Sequence, residues 1–231
     1  MAIVGNAQTQ YKQKIYNSYL KGDMVAWKNS VDEMRQTKVQ SVDFKFELVN
    51  YLYGYIGWCL GNDKKKEARS YLDIAEVILT DLEKSKKNLS LINAYHGAFN
   101  GYNIALDTYK VIFFGRRSVK FVEKAISLDP SNYFGFLQMG NIEFYKPPAF
   151  GGDKYRAINN YGKASKLIEN QYFKTRNDWN YLSILVSIAQ TYTKLGKFQE
   201  AKKYYESILK IEPEFDWVKN ILLPELHKKM K

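Results

Sequence analysis

The stretch from Leu182 to Pro213, LSILVSIAQTYTKLGKFQEAKKYYESILKIEP, constrains this chain more than any other feature. Its apolar residues recur three and four positions apart on either side of Gly196, which is a helical period and not the alternation of a strand. Gly196 lets the chain turn after a first helix. Pro213 cannot continue a second. Leu185, Ile188, Ala189 and Tyr192 mark the first helix, and Ala201, Tyr205 and Ile208 the second. The small residues allow two helices to cross closely, and the aromatic rings fill the space that remains.

Weaker copies of this unit occupy most of the chain. FVEKAISLDP repeats the ending, with Ala125 and Pro130 in the same two places. YFGFLQMGNIEFY supplies Phe136, Met139 and Gly140, and AINNYGKASKLIE supplies Ala157, Tyr161 and Ala164. Gly54, Ala68, Leu72 and Ala75 make a looser copy, and Gly22-Asp23 turns a first hairpin. The pattern predicts an all-α fold: an α-α superhelix of about five helical hairpins, each sharing its interior only with its neighbours, leaving one side hollow. DWVKNILLPELHKKM makes a last helix that caps the array, because the final hairpin otherwise leaves an apolar face in water. The second small position falls at 75, 125, 164 and 208, so the register is irregular and longer helices or insertions absorb the difference. One insertion is plain: in KPPAFGGD, Pro147 and Pro148 forbid helix, Gly151-Gly152 permits unusual backbone angles, and Asp153 suits the N-cap of the next helix. It is either a longer turn or a rim element that touches a ligand.

The Leu182–Pro213 unit resembles a tetratricopeptide repeat, whose unit is about 34 residues. The likeness extends over roughly residues 90 to 213 and fades toward the N-terminus; only Ile208 departs, where the pattern has Ala. YKPPAFGGDKYRA, GRRSVKFVEKAISLDP and EFDWVKNILLPEL together resemble a group of poorly characterised exported repeat proteins of Bacteroidetes-type bacteria. That resemblance implies a helical solenoid that binds protein or peptide, and no reaction. The Pro-rich insertion with Gly-Gly-Asp is also similar to the helical component of some periplasmic solute-uptake systems, which implies a pocket for a small molecule near 146–153.

With 231 residues, 45% of them hydrophobic, and no long linker, residues 10–231 read as one helical domain. Residues 1–9 read as a disordered terminus or as the remnant of a signal peptide: Gly5 and Ala7 have the spacing a signal peptidase needs, though the apolar stub is short. The family resemblance favours a periplasmic or exported protein over a cytoplasmic one. No apolar run is long enough to span a bilayer, and Cys59, the one cysteine, reads as a small core residue. The net charge of +11 is spread over lysine runs at helix ends, the mark of a solvated surface. It suits an acidic protein partner or an anionic surface and, with no nucleic-acid motif present, not a nucleic acid.

Nothing points to catalysis or to a cofactor. His96 and His227 lie in different hairpins, and no metal-ligand spacing or phosphate loop occurs. His96 reads as a packed or surface histidine. What remains is the hollow face, lined by the first helix of each hairpin. Projection from the aligned small positions offers Tyr51, Tyr55 and Trp58 from the second hairpin, Asn103, Asp107 and Lys110 from the third, Asn141 and Tyr145 from the fourth, and Gln190 and Lys194 from the fifth. The amides and lysines can bond a peptide backbone or carboxylate, and the aromatics can cover side chains. The competing reading, strongest for Tyr51 and Trp58, is that these aromatics pack between hairpins.

Overall fold

The structure, a computed structural model, describes residues 2–38, 40–171 and 177–231; the side chains of residues 2–9, where the Gly5–Ala7 spacing falls, lie outside the description. Eleven α-helices and no strand occur among the described residues. They run α1 (Ala2–Lys21), α2 (Met24–Gln36), α3 (Val42–Gly61), α4 (Lys65–Lys84), α5 (Leu89–Leu106), α6 (Val111–Leu128), α7 (Tyr133–Tyr145), α8 (Lys154–Glu169), α9 (Trp179–Lys194), α10 (Phe198–Ile211) and α11 (Leu223–Lys229). A π-helical segment, Trp217–Leu222, leads into α11. The all-α, helical-hairpin reading holds. The chain forms two compact units: Trp27–Gln138, and Met1–Ala26 with Met139–Lys231.

Turn chemistry sets the boundaries. Gly22 (φ 66°) and Gly196 (φ 71°) take the left-handed conformation between α1 and α2 and between α9 and α10. Ser41, Asn88, Asp153 and Asp178 cap α3, α5, α8 and α9, each side chain accepting a backbone N–H of the first turn.

The second helix of each later hairpin carries one spacing. Ala68 and Ala75, Ser118 and Ala125, Ala157 and Ala164, and Ala201 and Ile208 are all seven apart, and all are buried. Seven residues are close to two helical turns, so each pair lies on one stripe. Midway sit Leu72, Val122, Tyr161 and Tyr205, also buried. Opposite two of them the first helix must be bare. A Cβ on Gly97 would come within 2.4 Å of Val122 Cγ2, and one on Gly140 within 2.5 Å of the Tyr161 ring. Close approach lets Ser118 Oγ donate to Gly97 O (2.8 Å) and Ser90 Oγ to Ala125 O (2.7 Å), tying α5 to α6. Cys59 is buried as expected, and burial pushes its thiol up to about 11.

One expectation fails. Contacts are not confined to neighbouring hairpins, because α1 packs against the far end of the chain. Tyr19 meets the Trp179 ring at 5.8 Å and the Phe215 ring at 5.0 Å. Tyr16 Oη donates to Glu212 at 2.5 Å, and Asn177 Nδ2 to Gln13 at 2.7 Å. Buried Ile15 and Tyr16 form the inner stripe of α1. An amphipathic first helix covers apolar surface wherever the chain returns it, and here that surface is α9 and the turn after α10. The last hairpin is therefore covered by the N-terminal helix as well as by α11.

Candidate functional site

Several projected residues turn inward. Tyr51 is buried and stands edge-on to Trp27 (6.5 Å), whose Nε1 donates to Tyr51 O (3.0 Å). Tyr55 is buried on Tyr71 and donates to Glu67 (2.8 Å); burial and that carboxylate push its hydroxyl well above the ordinary tyrosine range. Trp58 is half-buried, stacked between Tyr55 (5.7 Å) and the Lys64 ammonium (4.6 Å). Asn103 was expected to seek partners in a ligand; it has them within the fold. Its Nδ2 donates to Glu76 (3.0 Å) and Phe99 O (3.1 Å), and its Oδ1 accepts from Arg69 (2.6 Å). It braces α4 against α5. Asn141 Oδ1 likewise accepts from Tyr161 Oη (2.9 Å). Asp107 caps the 3-10 turn Thr108–Lys110 and pairs with Lys110 (3.4 Å), which is exposed. Gln190 is half-buried and Lys194 exposed. His96 packs on Phe121 (4.9 Å) and meets Glu83 (2.7 Å). Of the projected aromatics, Tyr145 alone stands in solvent, with 78% of its surface exposed.

Tyr145 opens the insertion, and the insertion is a built element. Glu143, the buried carboxylate one turn inside α7, accepts from Asp153 N (3.2 Å) and from Arg156 Nε (3.2 Å) and Nη2 (3.0 Å). Arg156 reaches on to Gly151 O, and Lys154 to Phe144 O with its ammonium 4.6 Å above the Phe144 ring. The backbone closes on itself: Phe150 N and Gly152 N donate to Pro147 O (2.9 and 3.1 Å), and Gly151 N to Pro148 O (2.8 Å). Gly151 has φ 84°. Gly152 is required by space, since a Cβ there would sit 1.8 Å from Lys146 O. Asp153 caps α8 by accepting from Tyr155 N (2.7 Å) and Arg156 N (3.1 Å), and those backbone donors hold its carboxyl below the usual range.

This brace presents aromatic surface outward. Phe150 is 76% exposed and Tyr155 53% exposed, at either end of the Gly-Gly-Asp stretch that follows Tyr145. Lys197, from the turn between α9 and α10, lies 5.1 Å over the Tyr155 ring, so the fourth and fifth hairpins contribute to one surface. The Phe150 ring is in solvent, and a Cβ on Gly151 would meet nothing within 4 Å. Phe150 and Tyr155 lie outside the projected hollow face, which follows first helices only; aromatics flanking Pro-Pro and Gly-Gly are the signal in the sequence. An exposed run at the start of α6, Tyr109 to Phe113, lies outside it as well.

Among the described residues no group of three or more His, Cys, Asp or Glu could hold a metal ion, and no helix is long and apolar enough to cross a membrane.

The tetratricopeptide repeat family matches residues 182–215, the α9–α10 hairpin and its exit. The matching solved structures include the HusA haemophore from Porphyromonas gingivalis, with a TM-score of 0.59 and 14% identity over 78% of this chain and 92% of that one. At that identity the likeness is one of fold. No curated protein matches.

Proposed function

We propose that this protein is a non-enzymatic binding module that holds a protein or peptide segment against its fourth and fifth hairpins. The observation that carries this reading is the insertion: a loop fixed by Glu143 and Arg156 that holds Tyr145, Phe150 and Tyr155 in solvent. Holding apolar rings in water has a cost, and rigid aromatic anchors suit an interface because little entropy is lost on binding. Tetratricopeptide repeats generally serve protein interaction, which agrees. Lys197 lies over the Tyr155 ring, and Lys146, Lys154 and Arg156 fall within the same stretch of chain as the rings, so the partner segment is acidic with apolar side chains between its charges. Gln190 and Lys194 lie on α9 leading into the Lys197 turn, where they can meet the segment's backbone and carboxylates. Tyr51, Tyr55 and Asn103 support hairpins in this reading. A periplasmic or exported location accords with it, and fractionation of cells making the full-length gene product decides that point.

The test is crosslinking and affinity capture at native concentration, with the wild type beside Tyr145→Ser/Phe150→Ser/Tyr155→Ser. Recovery of a specific protein by the wild type and its loss by the variant is the expected result. Equal recovery by both, or none by either, contradicts the proposal.

The same exposed rings and cations favour a second reading, a carrier for a flat amphipathic small molecule bearing carboxylates, the kind of ligand implied by the haemophore neighbour. Titration with haemin separates the two. A shifted, saturable Soret band lost in the triple variant supports the carrier; an unchanged spectrum supports the protein-binding module.

A further inference from the structure

The α5–α6 hairpin ends in a tip that the binding surface above does not use. After α5 the chain makes a single 3-10 turn, Thr108–Lys110, and enters α6 at Val111. The tip turns its large apolar side chains outward: Tyr109 is 95% exposed, Ile112 81% and Phe113 62%, with Val111 exposed beside them. The first fully buried residue of α6 is Ser118, so the outward side chains of the opening turn contribute little to the core of their own unit.

Cations border this apolar tip. Arg116, Arg117 and Lys120 are exposed one and two turns further along α6. The Arg117 guanidinium lies 5.2 Å from the Phe113 ring centre, and Phe113 stands edge-on to Phe114 at 5.4 Å. Lys110 is balanced by Asp107 at 3.4 Å, and no acidic residue occurs from 108 to 122. An apolar end followed by a cluster of cations matches one environment well. Acyl chains take the rings, and anionic headgroups take the guanidinium and ammonium groups one helical turn higher. An acidic segment without apolar side chains would satisfy the cations and leave the outermost residues, Tyr109 and Ile112, in water.

We propose that the α5–α6 tip inserts Tyr109, Ile112 and Phe113 into the interfacial region of an anionic phospholipid bilayer, with Arg116, Arg117 and Lys120 on the headgroups. Association is peripheral and reversible.

The experiment is flotation of the full chain with vesicles of phosphatidylcholine containing 30% phosphatidylglycerol (a composition chosen to give roughly a surface potential of several tens of millivolts), and with phosphatidylcholine alone. The wild type floats with the anionic vesicles, and Ile112→Ser/Phe113→Ser, which keeps every charge, lowers partitioning at least about tenfold. Arg116→Gln/Arg117→Gln lowers it by roughly fivefold per arginine. Because a chain of net charge +11 can adsorb by charge alone, a second readout fixes depth. Ile112→Trp should show a blue-shifted emission that brominated acyl chains quench. Retained flotation by the serine variant, unshifted emission from the tryptophan variant, or failure of the wild type to float each overturns the proposal. So does a change of oligomeric state in the serine variant without vesicles, which would assign the tip to a second copy of the chain. None of these outcomes bears on the insertion at 146–153, which the variants leave intact.

Discussion

Two parts of the molecule hold aromatic side chains in water, and they do so by opposite means. At 144–156 the chain is irregular and tightly braced. Glu143 gathers three donors, the backbone closes three bonds of its own, and Gly152 sits where no side chain fits. At 109–117 a single 3-10 turn capped by Asp107 leads into an ordinary helix start whose outward residues are apolar. Exposure alone does not distinguish the two surfaces. A braced loop fixes where its rings stand and suits recognition of a shaped partner. A helix tip fixes little beyond direction and suits a medium without shape.

The contrast can be broken most forcefully at glycine. Gly152→Ala drives a Cβ into Lys146 O and must rebuild the loop, so it should cost about 3 kcal/mol in denaturant unfolding. A cost under about 0.5 kcal/mol would mean that the loop yields freely. Glu143→Gln comes next. It leaves the Arg156 guanidinium and the Asp153 amide with a weaker acceptor, at about 1–2 kcal/mol by the same measurement. At the tip the sign reverses. Gly115 is helical and a Cβ there would meet nothing within 4 Å, so Gly115→Ala should stabilise by roughly 0.5–1 kcal/mol. Loss of stability there would show that the tip is packed after all.

Acid sharpens the contrast further. Asp153 is held below the ordinary carboxylate range by the amides it caps. A depressed folded value means that its contribution is present above the unfolded value and is lost as pH falls through the depressed one. The Tyr155 and Arg156 amide signals should therefore shift on acidification below the usual aspartate midpoint. Movement at the ordinary midpoint would remove the capping argument. The smallest effect is expected for Phe150→Ala and for Ile112→Ser, each within roughly 0.5 kcal/mol of the wild type, since both side chains stand largely in solvent. A large loss in either would make it a core residue.

The hairpins were legible in the sequence because close helix crossings admit few residue types. Ala75, Ala125, Ala164 and Ile208 all prove buried, as their repetition required. Ser118 was overlooked only because serine is not a typical member of the pattern; its seven-residue spacing to Ala125 was available. The packing of α1 on α9 was not legible. A helical stripe such as Ile15 and Tyr16 announces burial and says nothing of its partner, and Glu212 lies 196 residues from Tyr16. The candidate site was half legible for a similar reason. An inward amide reads the same whether a ligand or Arg69 and Glu76 satisfies it, so Asn103 was open to either. The insertion was recognisable from Pro147-Pro148 and Gly151-Gly152. Its rigidity depends on Glu143 meeting Arg156, a contact that no local pattern encodes.

Hydrogen exchange at residues 150–153 tests the central claim, that the insertion is a fixed contact element. Four amides there have acceptors: Phe150 and Gly152 on Pro147 O, Gly151 on Pro148 O, and Asp153 on Glu143. In the wild type all four should exchange at least about tenfold more slowly than an unstructured chain, and Glu143→Gln should release Asp153 first. Exchange of the wild-type amides at the rate of a free chain would contradict the account.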